Sequence, residues 1–259
     1  MKQAFQVDLG LTRYGEAWEL QKRLVAARKA EAIEDVLLFC QHPHVITLGR
    51  NGKRGNLLAS EHVLRQKGVE FHATNRGGDI TYHGPGQLVG YPILNLGAIR
   101  RDVVWYVRTL EEAMIRTTVE FGIRAGREPG KTGVWVGGGS FASHESPVAS
   151  HGAPCGTSAA TEKLGAIGVH ISRWVTSHGF AYNVSTDLRF FDLIVPCGIA
   201  DRKAVSLEKL LGRSVEIKEV VPRIARHLAE LFDLAPKEIS KEQLLQKLEH
   251  AELGVPVSA

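Results

Sequence analysis

At 259 residues with 44% hydrophobic content, the chain is long enough to bury a substantial core and short enough to form one α/β domain. A net charge of +4 with a pI near 9.0 favours steering toward acidic partners, but no basic block with interleaved aromatics gives a nucleic-acid footprint. The amino terminus lacks the apolar stretch of a signal peptide, no run reaches membrane-spanning length, and three cysteines in dissimilar surroundings speak for reduced thiols rather than a disulfide framework, so a cytoplasmic location is expected.

In chain order, Ala17, Leu20, Leu24, Val25 and Ala32 recur among charges and predict an amphipathic helix over 15–33, ahead of an apolar strand from Val36 to Cys40. Val45-Ile-Thr-Leu48 predicts a second strand, ending at the glycine-rich basic loop Gly49-Arg-Asn-Gly-Lys-Arg-Gly55. Residues 76 to 87, Arg-Gly-Gly-Asp-Ile-Thr-Tyr-His-Gly-Pro-Gly-Gln, are the most informative run in the chain. Their glycines let a backbone loop and a ligand approach closely, while Ile80, Tyr82, Leu88 and Val89 predict flanking strands, so the run is expected to cradle a substrate with Arg76 and His83 at its mouth.

Asp102 is the expected N-cap of a helix through Phe121, whose apolar face is Val103, Val107, Leu110, Met114 and Phe121. Val134-Trp-Val136 and Ala166 to Ile171 predict strands, and residues 137–162 between them, rich in Gly, Ser, Ala and His, are expected to form a flexible surface insertion. Helices are predicted over Ser206–Leu211 and Glu216–Phe232, with a hinge near Pro236. Ser240-Lys-Glu-Gln243 is a capping box that opens a last helix through His250, within a carboxy-terminal helical extension over 237–259.

Of the three thiols, Cys40 lies in an apolar strand and is expected in the core, Cys155 falls in the insertion, and Cys197 sits in the loop Ile-Val-Pro-Cys-Gly-Ile, where a sulfur can be exposed. No Gly-x-Ser-x-Gly elbow is present, and Ser177-His178 is weak evidence for a serine hydrolase. His144, His151 and His170 lack ligand spacing, and Gly137-Gly-Gly139 is not followed by the Lys-Ser/Thr of a phosphate loop, so neither a metal nor a nucleotide is expected.

The run over 76–87 is similar, nearly residue for residue, to the motif of the lipoyl(octanoyl) transferases, octanoyl-[acyl carrier protein]:protein N-octanoyltransferases. Three further blocks resemble that family in the same order: Lys163-Leu-Gly-Ala-Ile-Gly-Val-His-Ile171, Val175 to Val184 with Ser-Thr-Asp-Leu188 after it, and Pro196-Cys-Gly-Ile199. The resemblance implies a single domain over 1–259 with a central mixed β-sheet flanked by helices, as in biotin/lipoyl protein ligases. It implies transfer of an octanoyl group from octanoyl-acyl carrier protein to a lysine of lipoyl domains in 2-oxoacid dehydrogenase complexes and the glycine cleavage H protein, with no cofactor, metal, nucleic acid or membrane.

Cys197 would then carry the acyl group as a thioester, with Lys163 holding the thiolate and moving protons. The substrate pocket would be formed by Arg76, Gly77, Gly78, Asp79, Ile80, Thr81, Tyr82 and His83, by Ala166, Ile167 and Gly168, and by Gly179, Phe180 and Ala181. The small residues would leave room for an alkyl chain between apolar walls. His83 could position the thiol, donate to the oxyanion or support the loop, and Arg76 is a loop brace or pocket wall, because a guanidinium stays charged. Two other readings stand beside this one: an ATP-dependent lipoate or biotin protein ligase, which has no need of Cys197, and a non-catalytic lipoyl-domain binding protein.

Overall fold

The structure, a computed structural model, describes residues 1–137, 161–195 and 203–254. Cys155, Cys197, His144, His151 and all but the margins of the expected insertion over 137–162 lie outside the described residues.

The chain begins with β1 (Lys2–Leu11), α1 (Tyr14–Lys29), β2 (Asp35–Gln41) and β3 (Val45–Leu48), then a 3-10 turn at Arg54–Asn56 and α2 (Glu61–Gln66). There follow β4 (Glu70–Ala73), β5 (Ile80–His83), β6 (Gln87–Ile93), α3 (Leu96–Ile99), α4 (Val103–Glu120), β7 (Ala125–Gly126) and β8 (Val134–Val136). The remainder comprises β9 (Glu162–Ser172), β10 (Val175–Asn183), a 3-10 turn at Leu188–Leu193, α5 (Leu207–Leu211), α6 (Ile217–Phe232), β11 (Leu234–Glu238) and α7 (Lys241–Glu252). None of the described helices is long and apolar enough to cross a membrane.

Eight strands form one mixed sheet in the order β11-β1-β2-β6-β10-β9-β8-β7, parallel across β11, β1 and β2 and antiparallel beyond. A second, three-stranded sheet has the order β4-β3-β5. The central strands β2 and β6 are buried along nearly their whole length because helices cover both faces, which is why their sequences are continuous apolar runs rather than alternating ones. On one face α4 and α6 bury Leu110, Met114, Ile224 and Leu228 against Phe180, Tyr182 and Leu88. On the other, α1 and α7 bury Leu20, Leu24, Leu244 and Leu248 against Val7, Leu38, Val89 and Ala181. The α/β class with a mixed sheet between helices is therefore the observed fold.

The local signals acted as their chemistry dictates. Asp102 Oδ1 accepts from the Trp105 N–H at the start of α4, and the Ser240–Gln243 capping box opens α7. Cys40 is buried, as expected of a thiol in an apolar strand. One expectation changes. Pro236 is not a hinge but lies in β11, paired with Ala4 at the sheet edge, where a residue without an N–H is tolerated. Within the segment 237–259, Lys237 and Glu238 end β11, and α7 packs Leu244 and Leu248 into the core beside α1. The strand β1 was not anticipated, although Phe5, Val7 and Leu9 alternate with polar neighbours and are buried on one face.

Candidate active site

A cavity of about 460 Å³ opens between the loop leading into β5, the paired strands β9 and β10, and the segment before β8. One wall is Arg76, Gly77, Gly78, Asp79, Ile80, Thr81 and His83; the facing wall is Ala166, Ile167, Gly168, Gly179, Phe180 and Ala181, with Lys163 at one side. The β9–β10 pairing sets Ala166 opposite Ala181, Ile167 opposite Phe180 and Gly168 opposite Gly179, so two motifs distant in sequence become one surface. Tyr82 is the exception among the expected pocket residues. Neighbouring residues on a strand point to opposite faces, and since His83 faces the cavity, Tyr82 turns into the apolar cluster behind the small sheet. There it stacks on Phe190 at 5.1 Å and its hydroxyl meets His44 Nδ1 at 2.8 Å.

The glycines of the facing wall answer to backbone approach more than to room for a ligand. A Cβ on Gly168 would stand 2.9 Å from the Gly77 carbonyl oxygen, and one on Gly179 would stand 2.0 Å from the Gly90 carbonyl oxygen. The Gly77 N–H donates to Val169 O at 2.8 Å, stitching the cradle loop to β9.

Arg76 and His83 are each 7% exposed, so they form the buried base of the cavity and not its mouth. The reason is the hydrogen-bonding each finds inside. Arg76 Nη2 donates to the Thr47 carbonyl at 2.6 Å and to Thr47 Oγ1 at 2.9 Å, and its Nε donates to the same hydroxyl at 3.1 Å, which makes it a brace between the loop and β3. His83 Nδ1–H donates to Gln87 Oε1 at 2.7 Å, Gln87 Nε2 donates to Asn183 Oδ1 at 2.9 Å, and Asn183 Nδ2 donates to Val205 O at 3.0 Å. This relay fixes the tautomer and leaves Nε2 of His83 with its lone pair.

Burial first, then the charges of His42 and Arg76, push the His83 imidazole down to about 3, so it is neutral across the physiological range. Tyr14 of α1 stacks on it at 6.2 Å, and burial raises that phenol to about 12. His178 also lines the cavity and is pushed down to about 3 by burial and by Arg76. It holds a positive φ of 55°, its main-chain N–H donates to Gln21 Oε1 at 2.8 Å, and its Nε2–H donates to Asn75 Oδ1 at 2.7 Å. Ser177 Oγ donates instead to the His170 carbonyl at 3.3 Å, so the two neighbours do not form a hydroxyl–imidazole pair. Asp79 turns its carboxylate to Asn56 Nδ2 at 2.6 Å, tying the cavity wall to the basic loop.

Lys163 lies within β9 rather than ahead of it, opposite Trp135 of β8, and its Nζ stands 5.0 Å from the indole ring centre. Its main-chain N–H donates to Lys203 O at 2.9 Å and its carbonyl accepts from the Val205 N–H at 3.0 Å. On the other side of the undescribed segment, the Val195 N–H donates to Asn56 O at 2.8 Å. The described residues that flank Cys197 in sequence are thus fastened to Lys163 and to the partner of Asp79. Gln87 and Asn183 lie inside the matching blocks but are not among the expected site residues, while Tyr14 and Trp135 carry no motif signal of their own and reach the cavity because the fold brings α1 and β8 to it. Among the described residues no group of three or more metal-ligating side chains is assembled.

A family model described as the lipoyl protein ligase A/B catalytic domain matches residues 13–229. The chain is 51% identical over 226 residues to the octanoyltransferase of Solibacter usitatus, covering 87% of the chain and 91% of that protein. It is 48% identical over 236 residues to the octanoyltransferase of Acidobacterium capsulatum, covering 87% and 89%. In three dimensions it is similar to a bi-partite lipoate protein ligase from Thermoplasma acidophilum, with a TM-score of 0.68 at 16% identity, covering 97% of this chain and 93% of that one, which is a likeness of fold.

Proposed function

Because the chain belongs to the lipoyl protein ligase A/B catalytic-domain family, and within it to the octanoyltransferases, we propose a two-step acyl transfer through Cys197 as the way it moves the octanoyl group in lipoate synthesis. The donor in this reading is octanoyl-acyl carrier protein, and the acceptors are lysines of lipoyl domains, including those of 2-oxoacid dehydrogenase complexes and the glycine cleavage H protein. The observation that supports it best is Lys163. This ammonium lines a largely apolar cavity of about 460 Å³ whose buried imidazoles are neutral, and its main chain is bonded to Lys203 and Val205, which follow Cys197 in sequence.

In the first step the Cys197 thiolate attacks the donor thioester carbonyl. A free thiol has a pKa of about 8.5, so a neighbouring ammonium is needed to hold the thiolate at neutral pH. The tetrahedral oxyanion collapses with loss of the carrier's thiolate, which takes a proton from Lys163 and leaves octanoyl-Cys197. In the second step the acceptor amine attacks that thioester, gives its proton to the now neutral Lys163, and expels Cys197 as thiolate, forming the amide and restoring the starting enzyme. His83 and His178, kept neutral by burial, do not carry protons in this scheme. The Gly77 N–H is already committed to Val169, so oxyanion donors come from other main-chain groups.

Arg76 through Thr81, His83, Ala166, Ile167, Gly168, Gly179, Phe180 and Ala181 would hold the acyl chain, while Tyr82 would support them from behind. The test is the intact mass of the protein after incubation with octanoyl-acyl carrier protein without ATP, beside the Cys197→Ser variant. The gain of one octanoyl group, labile to hydroxylamine and absent from the variant, is the expected result. Transfer that occurs only with free acid and ATP would replace this mechanism with that of a ligase.

A further inference from the structure

Glu111 is wholly buried in the middle of α4, a place where a carboxylate persists only with partners. Its Oε2 accepts from Arg108 Nη1 at 2.7 Å and from Arg127 Nε at 3.0 Å, while Oε1 accepts from the Gly133 N–H at 2.9 Å. Arg127 and Gly133 are the two ends of the segment that joins β7 to β8, so one carboxylate clasps both. The same segment is tied down again where Glu128 accepts from Lys131 Nζ at 3.3 Å and from Thr161 Oγ1.

The inner end of the clasp meets the candidate chemistry. Gly133 has a φ of 120°, and a Cβ there would stand 2.7 Å from Lys163 Cε, 3.4 Å from Lys163 Nζ and 2.5 Å from the Gly165 carbonyl oxygen. The Lys163 side chain therefore runs past Gly133 with no room for a Cβ between them, while the Trp135 ring of β8 lies 5.0 Å from the ammonium. An ion pair that served only to close the 127–133 turn could form at the surface, since the Arg108 and Arg127 side chains are 51% and 28% exposed. Taking the carboxylate inward costs desolvation, which a merely structural pair rarely recovers. The geometry gained is the placement of Gly133 against Lys163.

We propose that Glu111 is a positioning residue for Lys163, acting through the Gly133 N–H. The proposal concerns the proton-carrying lysine of the preceding section and rests on that reading for its catalytic consequence. Two substitutions separate charge from reach: Glu111→Gln keeps an oxygen for Gly133 but drops the charge, and Glu111→Asp keeps the charge but falls one methylene short.

The experiment is competitive acetylation of Lys163 with acetic anhydride across pH, read by peptide mass, together with kcat and KM for octanoyl transfer. The expected result is a displaced labelling profile for Lys163 in both variants, with the midpoint moved to lower pH in Glu111→Gln because a neighbouring negative charge is gone. Glu111→Asp is expected to lose about 10- to 100-fold in kcat, as a misplaced catalytic group does, with KM changed less than about twofold. Gly133→Ala, which leaves Glu111 intact but sets a Cβ 2.7 Å from Lys163 Cε, is expected to displace the same labelling profile and tests the contact through which Glu111 would act if the Glu111 variants do not fold. Labelling identical to wild type in Gly133→Ala, or in folded Glu111 variants, overturns the proposal. Retained transfer by Lys163→Ala would instead remove the catalytic reading of Lys163, while the labelling would still report whether Glu111 positions it.

Discussion

Lys163 and Trp135 face each other across β9 and β8, with the ammonium 5.0 Å from the indole centre. A cation over an indole face in a partly desolvated site is stabilised by about 0.5–2 kcal/mol. Trp135→Leu removes that support and is expected to lower kcat/KM by about 2- to 30-fold. Trp135→Phe keeps an aromatic face and removes an indole N–H that has no hydrogen-bond partner among the described residues, so it is expected to stay as stable as wild type and to lose less activity. Equal activity of the Leu and Phe variants would show that the ring acts only as packing.

Arg76 braces the cradle through Thr47, and this task needs a planar fork rather than a charge. Arg76→Lys keeps the charge but cannot reach both the carbonyl and the hydroxyl of Thr47. The expected cost is about 1–3 kcal/mol, or roughly 2–4 °C of melting temperature per kcal/mol for a chain of this size, with a raised KM for the acyl donor because the cavity wall is loosened. Thermal melts and steady-state kinetics on the same preparation check both parts. A lysine variant with unchanged melting temperature would mean the brace is dispensable.

These two sites were legible from sequence to different degrees, and the reason is physical. Residues 76–83, Lys163 and the 166–181 positions lie in contiguous runs whose local composition is unusual for turns and strands, so they stood out before any contact was known. What failed there was direction: a glycine-rich loop suggested an open mouth for Arg76 and His83, while the hydrogen-bond acceptors Thr47 and Gln87 draw both inward. The strand alternation that removes Tyr82 from the cavity could have been applied to the Ile80–His83 strand once its start was known. Glu111 was not legible at all, because a glutamate at a helical position among Arg108, Glu112 and Arg116 is ordinarily a solvated charge, and only the return of the chain at 127–133 buries it.

Three imidazoles near the cavity are held neutral by burial: His42 is pushed down to about 4, and His83 and His178 to about 3. Their folded values lie below the unfolded value of about 6.5, so the folded state binds fewer protons than the unfolded one as pH falls. The stability they contribute is fully present above about pH 7 and is lost progressively from about pH 6.5 toward 3–4, at roughly 1.4 kcal/mol per pH unit for each imidazole. Urea unfolding at pH 7.5 and 5.5 is expected to differ by about 4 kcal/mol from these three groups. A flat profile over that interval would mean that the imidazoles titrate alike in both states, and the neutral cavity would have to be given up.

Gly168 and Gly179 face each other across β9 and β10, yet a methyl group has different consequences at each. At Gly168 the nearest obstacles are the Gly77 carbonyl at 2.9 Å and Arg76 Cδ at 3.1 Å, both on the cradle loop, which can shift by a few tenths of an ångström. At Gly179 the obstacles are the Gly90 carbonyl at 2.0 Å and Pro92 Cδ at 2.8 Å, both in the central strand β6, which is bonded on both sides and cannot move away. Gly168→Ala is therefore expected to fold with a cost of about 1–3 kcal/mol and to raise KM for the acyl donor by displacing the loop. Gly179→Ala is expected to cost more than that or to fail to fold. Melting temperatures of the two variants test the ordering directly, and a Gly179→Ala protein as stable as Gly168→Ala would show that the sheet yields where its hydrogen bonding says it should not.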